Sequence, residues 1–467
     1  MNRADITLQE RHEAELQALL NSRGDREAAA YLLFGRADVA ADPWDRQRRT
    51  RLTSHAVIPI PPEDMISASG EHVTWSTRSF VRLCRQAKER GLVAGIAHSH
   101  PSGFPRFSDQ DDRNECELYR LARNRNGDGT QMVSLLRIGH QRYEGRLWVD
   151  DHKPIDCDAV LSVGTRLRAL STIDGTANEV LARQAIAFGP ELNRLLSRLK
   201  IGVVGCGGTG SATAALLARA GVGQLALFDN DIVEATNLNR LHGATRVDAD
   251  AMRLKVEVVA REIARMGVGV RAAPIAERID ADAARDTLLS CDVIFGCTDD
   301  HAGRLFLNRF AYFYLRPVID MGLSIEPDLE RGGLRDMTAR VTVIAPGAPC
   351  LLCRHIADPH AAAEEELRQA APEEYERQKR EAYVRGAGNP APAVVTFTTE
   401  VACMAVNELL QGLIGYRDQP GWFWQRARRL DLGAERRQGA KQDSCILCVD
   451  QDYWGRGDTD PFLDRIN

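Results

Sequence analysis

The chain has 467 residues, is 44% hydrophobic and 27% charged, and carries a formal net charge of −5. That length implies ~2–3 domains, the composition is ordinary for a soluble globular protein, and the charge gives no reason to expect nucleic acid or an anionic membrane as main partner. No apolar run approaches transmembrane length and no leader is read at the start, so a cytoplasmic protein with reduced thiols is expected from its 11 cysteines, and paired CxxC motifs there point to metal rather than disulfide.

Leu8–Asn21 reads as an amphipathic helix, Arg26–Gly35 as an apolar strand with one acid, Glu27, near its start, and Val57–Ile60 as a short strand stopped by Pro61-Pro62. Helical spacing over Thr77–Arg90 ends at Gly91, and Leu92–Ala97 is a buried strand from which His98-Ser99-His100-Pro101 emerges. Residues two apart on a strand face the same way, so both imidazoles leave on one side. Ser108 reads as the N-cap of the next helix, with Asp111 in its first turn. Two imidazoles and a carboxylate are the protein ligand count of a catalytic zinc with water in the fourth place. A further carboxylate is needed to take the water proton, and Glu27 is the candidate.

Glu27, the His98-Ser99-His100-Pro101 run and Ser108-x-x-Asp111 together resemble the JAMM signature of JAB/MPN metalloproteases. The resemblance implies zinc ligands at His98, His100 and Asp111, a general acid/base at Glu27, stabilisation of the tetrahedral intermediate by Ser108, and substrates with an isopeptide or peptide bond after a ubiquitin-like C-terminus. Taken singly, an HxH is two ordinary histidines, Ser108 a helix cap and Glu27 a surface acid.

Met132–Ile138 and Tyr143–Val149 read as a hairpin turning at Gly139-His140-Gln141, and Asp156–Leu170 as one more strand. These expectations make 1–170 one domain, 171–178 a polar linker and 179–467 a second domain. There Glu179–Phe188 is helical and contains Arg183. Ile201–Val204 is a buried strand, leading to a turn with Gly205, Gly207, Gly208 and Gly210, a helix over Ser211–Ala220, and a strand Leu225–Phe228 ending in Asp229. This βαβ unit suits a nucleotide: glycines let the backbone approach phosphate at a helix N-terminus, and a strand-end acid accepts ribose hydroxyls. By itself the turn points to NAD or FAD as readily as to any other nucleotide. A dinucleotide gives no reason, however, for Asn237 and Arg240 in TNLNR, for Lys255 at the next helix start, or for Asp299 after the strand Asp292–Cys297. Cations near phosphates suit phosphoanhydride chemistry, and a strand-end acid is a natural Mg²⁺ ligand.

These elements resemble the E1-like (ThiF/MoeB) adenylyltransferases from about Arg183 to Cys448. The resemblance implies that the glycine turn holds the ATP phosphates and Asp229 the ribose, that Asn237, Arg240 and Lys255 contact the triphosphate, that Asp299 binds Mg²⁺, and that Arg183 acts in trans across a homodimer. The interval from Arg240 to Lys255 is slightly long for the family.

Cys350-x-x-Cys353 and Cys445-x-x-Cys448, with 91 residues between them, are two knuckles for one closed structural zinc; redox use of one CxxC is the alternative. Between them, Asp358–Arg385 reads as a solvated helix. In E1-like enzymes the crossover there often carries a nucleophilic cysteine, and 354–402 has none. Cys403, in the apolar run TTEVACMAVNELLQGL, and Cys206, Cys291 and Cys297 read as packing residues. Arg429–Leu432 is a late strand.

The expected fold is therefore α/β: a JAB/MPN-type metalloprotease domain followed by a Rossmann-like E1/ThiF adenylation domain with a zinc knuckle. The expected enzyme hydrolyses the bond after a ubiquitin-like protein and, with MgATP, adenylates its C-terminal carboxylate for an E2-like or other partner thiol, as in prokaryotic conjugation systems, some in phage-defence loci. Two other readings stay open: activation of a sulfur carrier or peptide for thiocarboxylate or heterocycle chemistry, and a JAB half that only binds the partner.

Overall fold

The computed structural model describes residues 2–458 apart from 23, 70–72, 102, 140–141, 173–177, 329, 381–391, 420 and 438–443. The turn residues His140 and Gln141, most of the expected linker and the end of the 358–385 stretch lie outside the described residues. The chain forms two compact units, Met1–Asp174 with Tyr312–Leu315 and Asp452–Asn467, and Gly175–Ala311 with Arg316–Gln451.

The first unit runs β1 (Arg3–Gln9), α1 (Glu10–Asn21), β2 (Ala29–Val39), β3 (Arg49–Pro59), a small hairpin of β4 (Met65–Ala68) and β5 (Val73–Trp75), α2 (Thr77–Glu89), β6 (Val93–His100), α3 (Asp109–Asn126), β7 (Met132–Ile138), β8 (Arg142–Trp148), β9 (Ile155–Val163) and β10 (Leu167–Ala169). The main sheet has the order β1-β3-β2-β6-β7-β8-β9-β10, and β1 also pairs with β9, so the sheet closes on itself. Alternation along β2 feeds two cores. Leu32 and Phe34 join Ile6, Leu135 and Tyr143 with Leu16 and Leu20 of α1. Tyr31 and Leu33 face the other way, onto Phe80 and Leu83 of α2 and Tyr119 of α3.

The sequence reading needs four corrections here. Asp156–Leu170 is not one strand but two, β9 and β10, which turn back on each other and pair antiparallel. Leu8 still belongs to β1, because strand pairing on both sides holds it extended, so the first helix starts at Glu10. Val57–Ile60 is the end of a longer strand, β3. The segment from Asp452, expected in the second domain, falls with the first unit instead. Asp458 donates its N–H to the Arg36 carbonyl (2.7 Å), Thr53 Oγ1 donates to the Gly455 carbonyl (2.9 Å), and His55 Nδ1 donates to the Trp454 carbonyl (2.9 Å). The approach needs two glycines: a Cβ on Gly35 would sit 2.1 Å from the Gly455 oxygen, and Gly455 itself has φ +69°.

His12 of α1 lies in this core, its Nδ1 2.9 Å from Ser54 Oγ. Burial, helped by Arg11 and His55, pushes its imidazole down to about 3. The folded chain keeps it neutral while the unfolded chain protonates it near 6.5, so its contribution is present above ~6.5 and lost as pH falls toward 3. We expect it to remove stability at up to ~1.4 kcal/mol per pH unit in that window. His12→Gln should flatten a denaturant-midpoint profile between pH 6 and 4 (about two units of that window). A variant profile parallel to that of the native chain refutes the assignment.

The second unit contains α4 (Ala182–Phe188), α5 (Pro190–Arg198), β11 (Lys200–Val204), α6 (Gly208–Ala220), β12 (Gln224–Phe228), α7 (Arg246–Asp250), α8 (Lys255–Arg265), β13 (Arg271–Ile275), α9 (Asp282–Ser290), β14 (Val293–Gly296), α10 (His301–Phe313, of which the last two residues fall with the first unit), β15 (Val318–Pro327), β16 (Leu334–Ile344), α11 (Pro359–Ala370), α12 (Pro372–Arg380), α13 (Val395–Ile414), β17 (Gln425–Arg429) and β18 (Ala434–Arg437). The order is β13-β12-β11-β14-β15-β16-β17-β18, parallel from β13 to β15 and antiparallel beyond. From β11 the chain proceeds to β12 on one side and later to β14 on the other. Their carboxyl ends thus flank a topological switch point, the place where open α/β sheets bind ligands.

The expected helix at Ser211 begins three residues earlier, at Gly208. The expected late strand is shifted to Gln425–Arg429 because its pairing with β16 sets its bounds. The charged stretch is two helices, divided by Pro372, which cannot continue α11. Among the described residues no helix is long and apolar enough to cross a membrane.

Candidate functional site

The first cluster forms where β6 ends. β2 flanks β6 on one side and β7 on the other, so His98 and His100 are fixed by a central strand. Ser99 ties the strands: its N–H donates to the Ala28 carbonyl (3.1 Å) and its Oγ accepts from the Ala28 N–H (3.1 Å), which places Glu27 beside the histidines. His98 Nε2 lies 3.2 Å from Asp111 Oδ1, and His100 Nε2 lies 3.4 Å from Asp111 Oδ2 and 3.7 Å from Glu27 Oε1. His100 Nδ1 donates to the Phe104 carbonyl (3.3 Å), which turns the Nε2 lone pair toward the acids.

The ligand atoms of His98, His100 and Asp111 all lie within 4.8 Å of one another. His98 Nε2 is buried and makes no hydrogen bond. A buried, unbonded ring nitrogen facing a carboxylate is what a metal-ready triad leaves. Burial pushes the Asp111 carboxyl up, but the two imidazoles and the Ser108 N–H outweigh it and hold the group well below the usual range. Burial likewise opposes the His100 imidazolium, yet Asp111 and then Glu27 raise it. Ser108 closes a capping box: its Oγ donates to Asp111 Oδ2 (2.7 Å) and accepts the Asp111 N–H (3.2 Å). The same serine thus orients the carboxylate. Phe104 and Phe107, overlooked in the sequence, flank His100 and His98 at ring distances of 5.8 and 5.9 Å.

The second cluster forms at the switch point. Gly205 has φ +89°, and a Cβ on Gly210 would lie 1.8 Å from the Gly205 carbonyl oxygen, so the turn admits only glycine at both places. Gly207 opens to empty space, and the stem of Arg240 lies 3.1 Å from where a Gly208 Cβ would be. Asp229 accepts the N–H groups of Cys206 (2.7 Å) and Asp231 (2.8 Å). Burial raises its carboxyl, against the pull of Lys255 and those amides.

Lys255 Nζ is paired with Asp231 (2.7 Å), which holds the ammonium next to Asp229. Asn237 caps its own turn by accepting the Glu234 N–H (3.1 Å). Asp299 is exposed just past β14. The glycine turn, Asp229, Arg240 and Lys255 therefore converge, with Asp299 at the neighbouring strand end. A nucleotide polyphosphate fits a glycine cradle that any Cβ would fill, and an exposed strand-end acid fits its divalent ion. Arg183 is not gathered there. Its neighbour Gln184 is fastened to the Ala220 carbonyl (3.0 Å), the end of α6 away from the turn, and Arg183 is exposed.

The sequence reading also passed over Arg304, Asp320 and Glu365 near Asp299. Asp320 carried a usable signal, an acid after the apolar Val318-Ile319. Arg304 and Glu365 carried none, since each acts through a contact distant in sequence.

Cys350, Cys353, Cys445 and Cys448 form the third cluster, with Sγ separations of 3.6 Å (Cys350–Cys353), 3.7 Å (Cys350–Cys445) and 3.5 Å (Cys353–Cys448). A tetrahedron with metal–sulfur bonds of ~2.3 Å has edges of ~3.8 Å, so the four sulfurs are spaced for one ion. The thiol of Cys448 hydrogen-bonds Cys350 and pushes it down to about 5, while Cys448 itself is raised. Cys206 and Cys291 are buried, as expected of packing residues, and Cys403 on α13 is half-buried.

Residues 181–445 match the model of the ThiF family, and residues 9–149 match that of prokaryotic homologs of the JAB domain. The SAMP-activating enzyme E1 of Haloferax volcanii is 27% identical over 184 residues, 39% of this chain and 63% of that protein. The molybdopterin-synthase adenylyltransferase of Salmonella typhimurium is 34% identical over 170 residues, 36% of this chain and 62% of that protein. The adenylyltransferase and sulfurtransferase MOCS3 of Sus scrofa is 36% identical over 126 residues, 27% of each chain. The chain thus spans less than two thirds of the length of these relatives.

Proposed function

The chain belongs to the ThiF family, with a JAB-type domain ahead of the matching region, and from there we propose that its second unit adenylates a protein C-terminus and its first unit hydrolyses the bond after one. The observation that carries the adenylation reading is the convergence of Arg240 and Lys255 on a glycine turn at the switch point. In this reading the turn amides hold the phosphates of ATP and Asp229 takes the ribose. Arg240 and Lys255, with Asn237, steady the triphosphate, and Asp299 takes Mg²⁺. The substrate carboxylate attacks the α-phosphorus, an acyl-adenylate forms, and pyrophosphate leaves with the charge spread over the cations. Arg183 acts from a second copy of the chain in a homodimer.

For the first unit, His98, His100 and Asp111 would hold a zinc ion, which would supply a Lewis acid and an acidified water. Glu27 takes the water proton at its carboxylate and returns it to the leaving amine. Ser108 holds Asp111 in orientation and lies at hand for the developing oxyanion. The four cysteines would hold a structural zinc, which would tie 350–353 to 445–448.

The substrate is the glycine C-terminus of a ubiquitin-like protein, and the acceptor is a thiol on a partner, because 354–402 contains no cysteine. A second reading is activation of a sulfur carrier, favoured by similarity to the sulfur carrier protein ThiS adenylyltransferase of Escherichia coli (32% identical over 117 residues, 25% of this chain and 46% of that protein). Pyrophosphate exchange tests the common step. With a ubiquitin-like or sulfur-carrier protein ending in a free glycine and MgATP, Arg240→Ala should lose ~10²-fold or more of the exchange. No exchange by the native chain with either class of carrier overturns the adenylation reading.

A further inference from the structure

Asp299 stands in a short loop, Thr298–Asp300, between β14 and α10, and side-chain contacts hold that loop and the helix start after it from both sides. Glu365, on α11 and 64 residues from His301 in sequence, accepts the N–H groups of both His301 (2.8 Å) and Ala302 (3.0 Å) through one oxygen, Oε2. Asp300 accepts the N–H of Gly303 and the hydroxyl of Thr298. Two carboxylates thus occupy the free amides of the first turn of α10, where negative charge is stabilised. From the other side, Arg304 Nη1 donates to the Asp299 carbonyl (3.3 Å), and its Nε lies 3.4 Å from Asp320, which is 1% exposed and paired with Arg340 (2.6 Å).

The helix that carries Glu365 is held at both ends. The Asp358 N–H donates to His301 Nδ1 (3.1 Å), and Gln369 is hydrogen-bonded by Arg278, itself paired with Asp280. α11 belongs to the segment between the two CxxC motifs, so its docking and the setting of Asp299 share one carboxylate.

We propose that Glu365 is a positioning residue for the adenylation site: by holding the first two amides of α10 it fixes the loop that presents Asp299, and so couples docking of α11 to binding of the magnesium–nucleotide complex. This inference rests on the adenylation reading. Glu365 itself touches neither substrate nor ion. It acts by removing freedom from the Asp299 backbone.

The test is ATP binding to the full chain by calorimetry, with Mg²⁺ present and with Mg²⁺ omitted. The native chain should gain affinity when Mg²⁺ is added. Glu365→Ala should lose ~5-fold or more of that gain while its Mg²⁺-free affinity stays within ~2-fold, because the amides it frees affect the ion's carboxylate and not the glycine turn. Glu365→Gln keeps one acceptor oxygen and the same shape, so it should recover part of the gain, and it serves if the alanine variant does not fold. Faster hydrogen exchange at the His301 and Ala302 amides in Glu365→Ala should accompany the loss. An intact Mg²⁺ gain in Glu365→Ala, or an equal fall with and without Mg²⁺, overturns the inference. Absence of ATP binding in the native chain overturns the adenylation reading itself.

Discussion

Glu27→Gln is expected to keep its metal and lose ~10²–10⁴-fold in the hydrolysis of a ubiquitin-like protein extended past its C-terminal glycine. The reason is geometric. Glu27 Oε1 sits 3.7 Å from His100 Nε2, beside the three ligand atoms and not among them. Its backbone is set independently, by the Glu27 N–H donating to the Ser69 carbonyl (2.7 Å) and by the Ser99 bonds to Ala28. The amide of glutamine occupies the same space but takes no proton from water. His98→Ala should lose both metal and hydrolysis, since it removes a ligand. Metal analysis alongside the rate separates the two variants. Equal rates in Glu27→Gln and the native chain would end the case for this carboxylate as the acid/base, and hydrolysis by a metal-free His98→Ala would end the case for the triad.

Removal of the ion from the four-cysteine cluster should lower the melting midpoint of the second unit by ~10 °C or more. Cys350 and Cys445 are 95 residues apart, so an ion on the four sulfurs closes a loop of that size. A cross-link over ~100 residues is worth ~4–5 kcal/mol in the chain-entropy account. For a unit of this size each kcal/mol moves the midpoint by ~2–4 °C. Cys353→Ser should behave as the chelated protein does. A thiol reductant should change nothing, because none of the four cysteines is in a disulfide and the neighbouring sulfurs stand 3.5–3.7 Å apart, far beyond an S–S bond. A chelated chain with an unchanged midpoint, or a reductant that lowers it, would return the cluster to a redox reading.

Much of both candidate sites was legible because their residues are local. His98, His100, Ser108 and Asp111 fall within one strand–loop–helix step, so periodicity and capping rules place them. The glycine turn, Asp229 and Asp299 mark strand ends that need no knowledge of neighbours. What stayed hidden depends on contacts remote in sequence. β1 is short and polar at its start, and becomes a strand because β3 and β9 pair with it. Lys255 looked like a phosphate ligand, and its ion pair with Asp231 appears only once β12 and α8 are adjacent. Glu365 is one of several acids in a charged helix, and nothing in its sequence distinguishes it from Glu364 or Glu366. The bounds of β17 moved because its antiparallel pairing with β16, remote in sequence, decides them and local composition does not.

The docking of residues 454–458 on β2 and β3 bears on the order of events at the ribosome. Synthesis is vectorial, and Gly35 and Arg36 emerge long before Gly455 and Asp458, with residues 175–451 made in between. The first unit therefore cannot reach its final form while the chain is still growing through the second. During that interval the β2–β3 surface lacks its cover, and a nascent chain arrested before Trp454 would lack the hydrogen bonds to Arg36, Thr53 and His55.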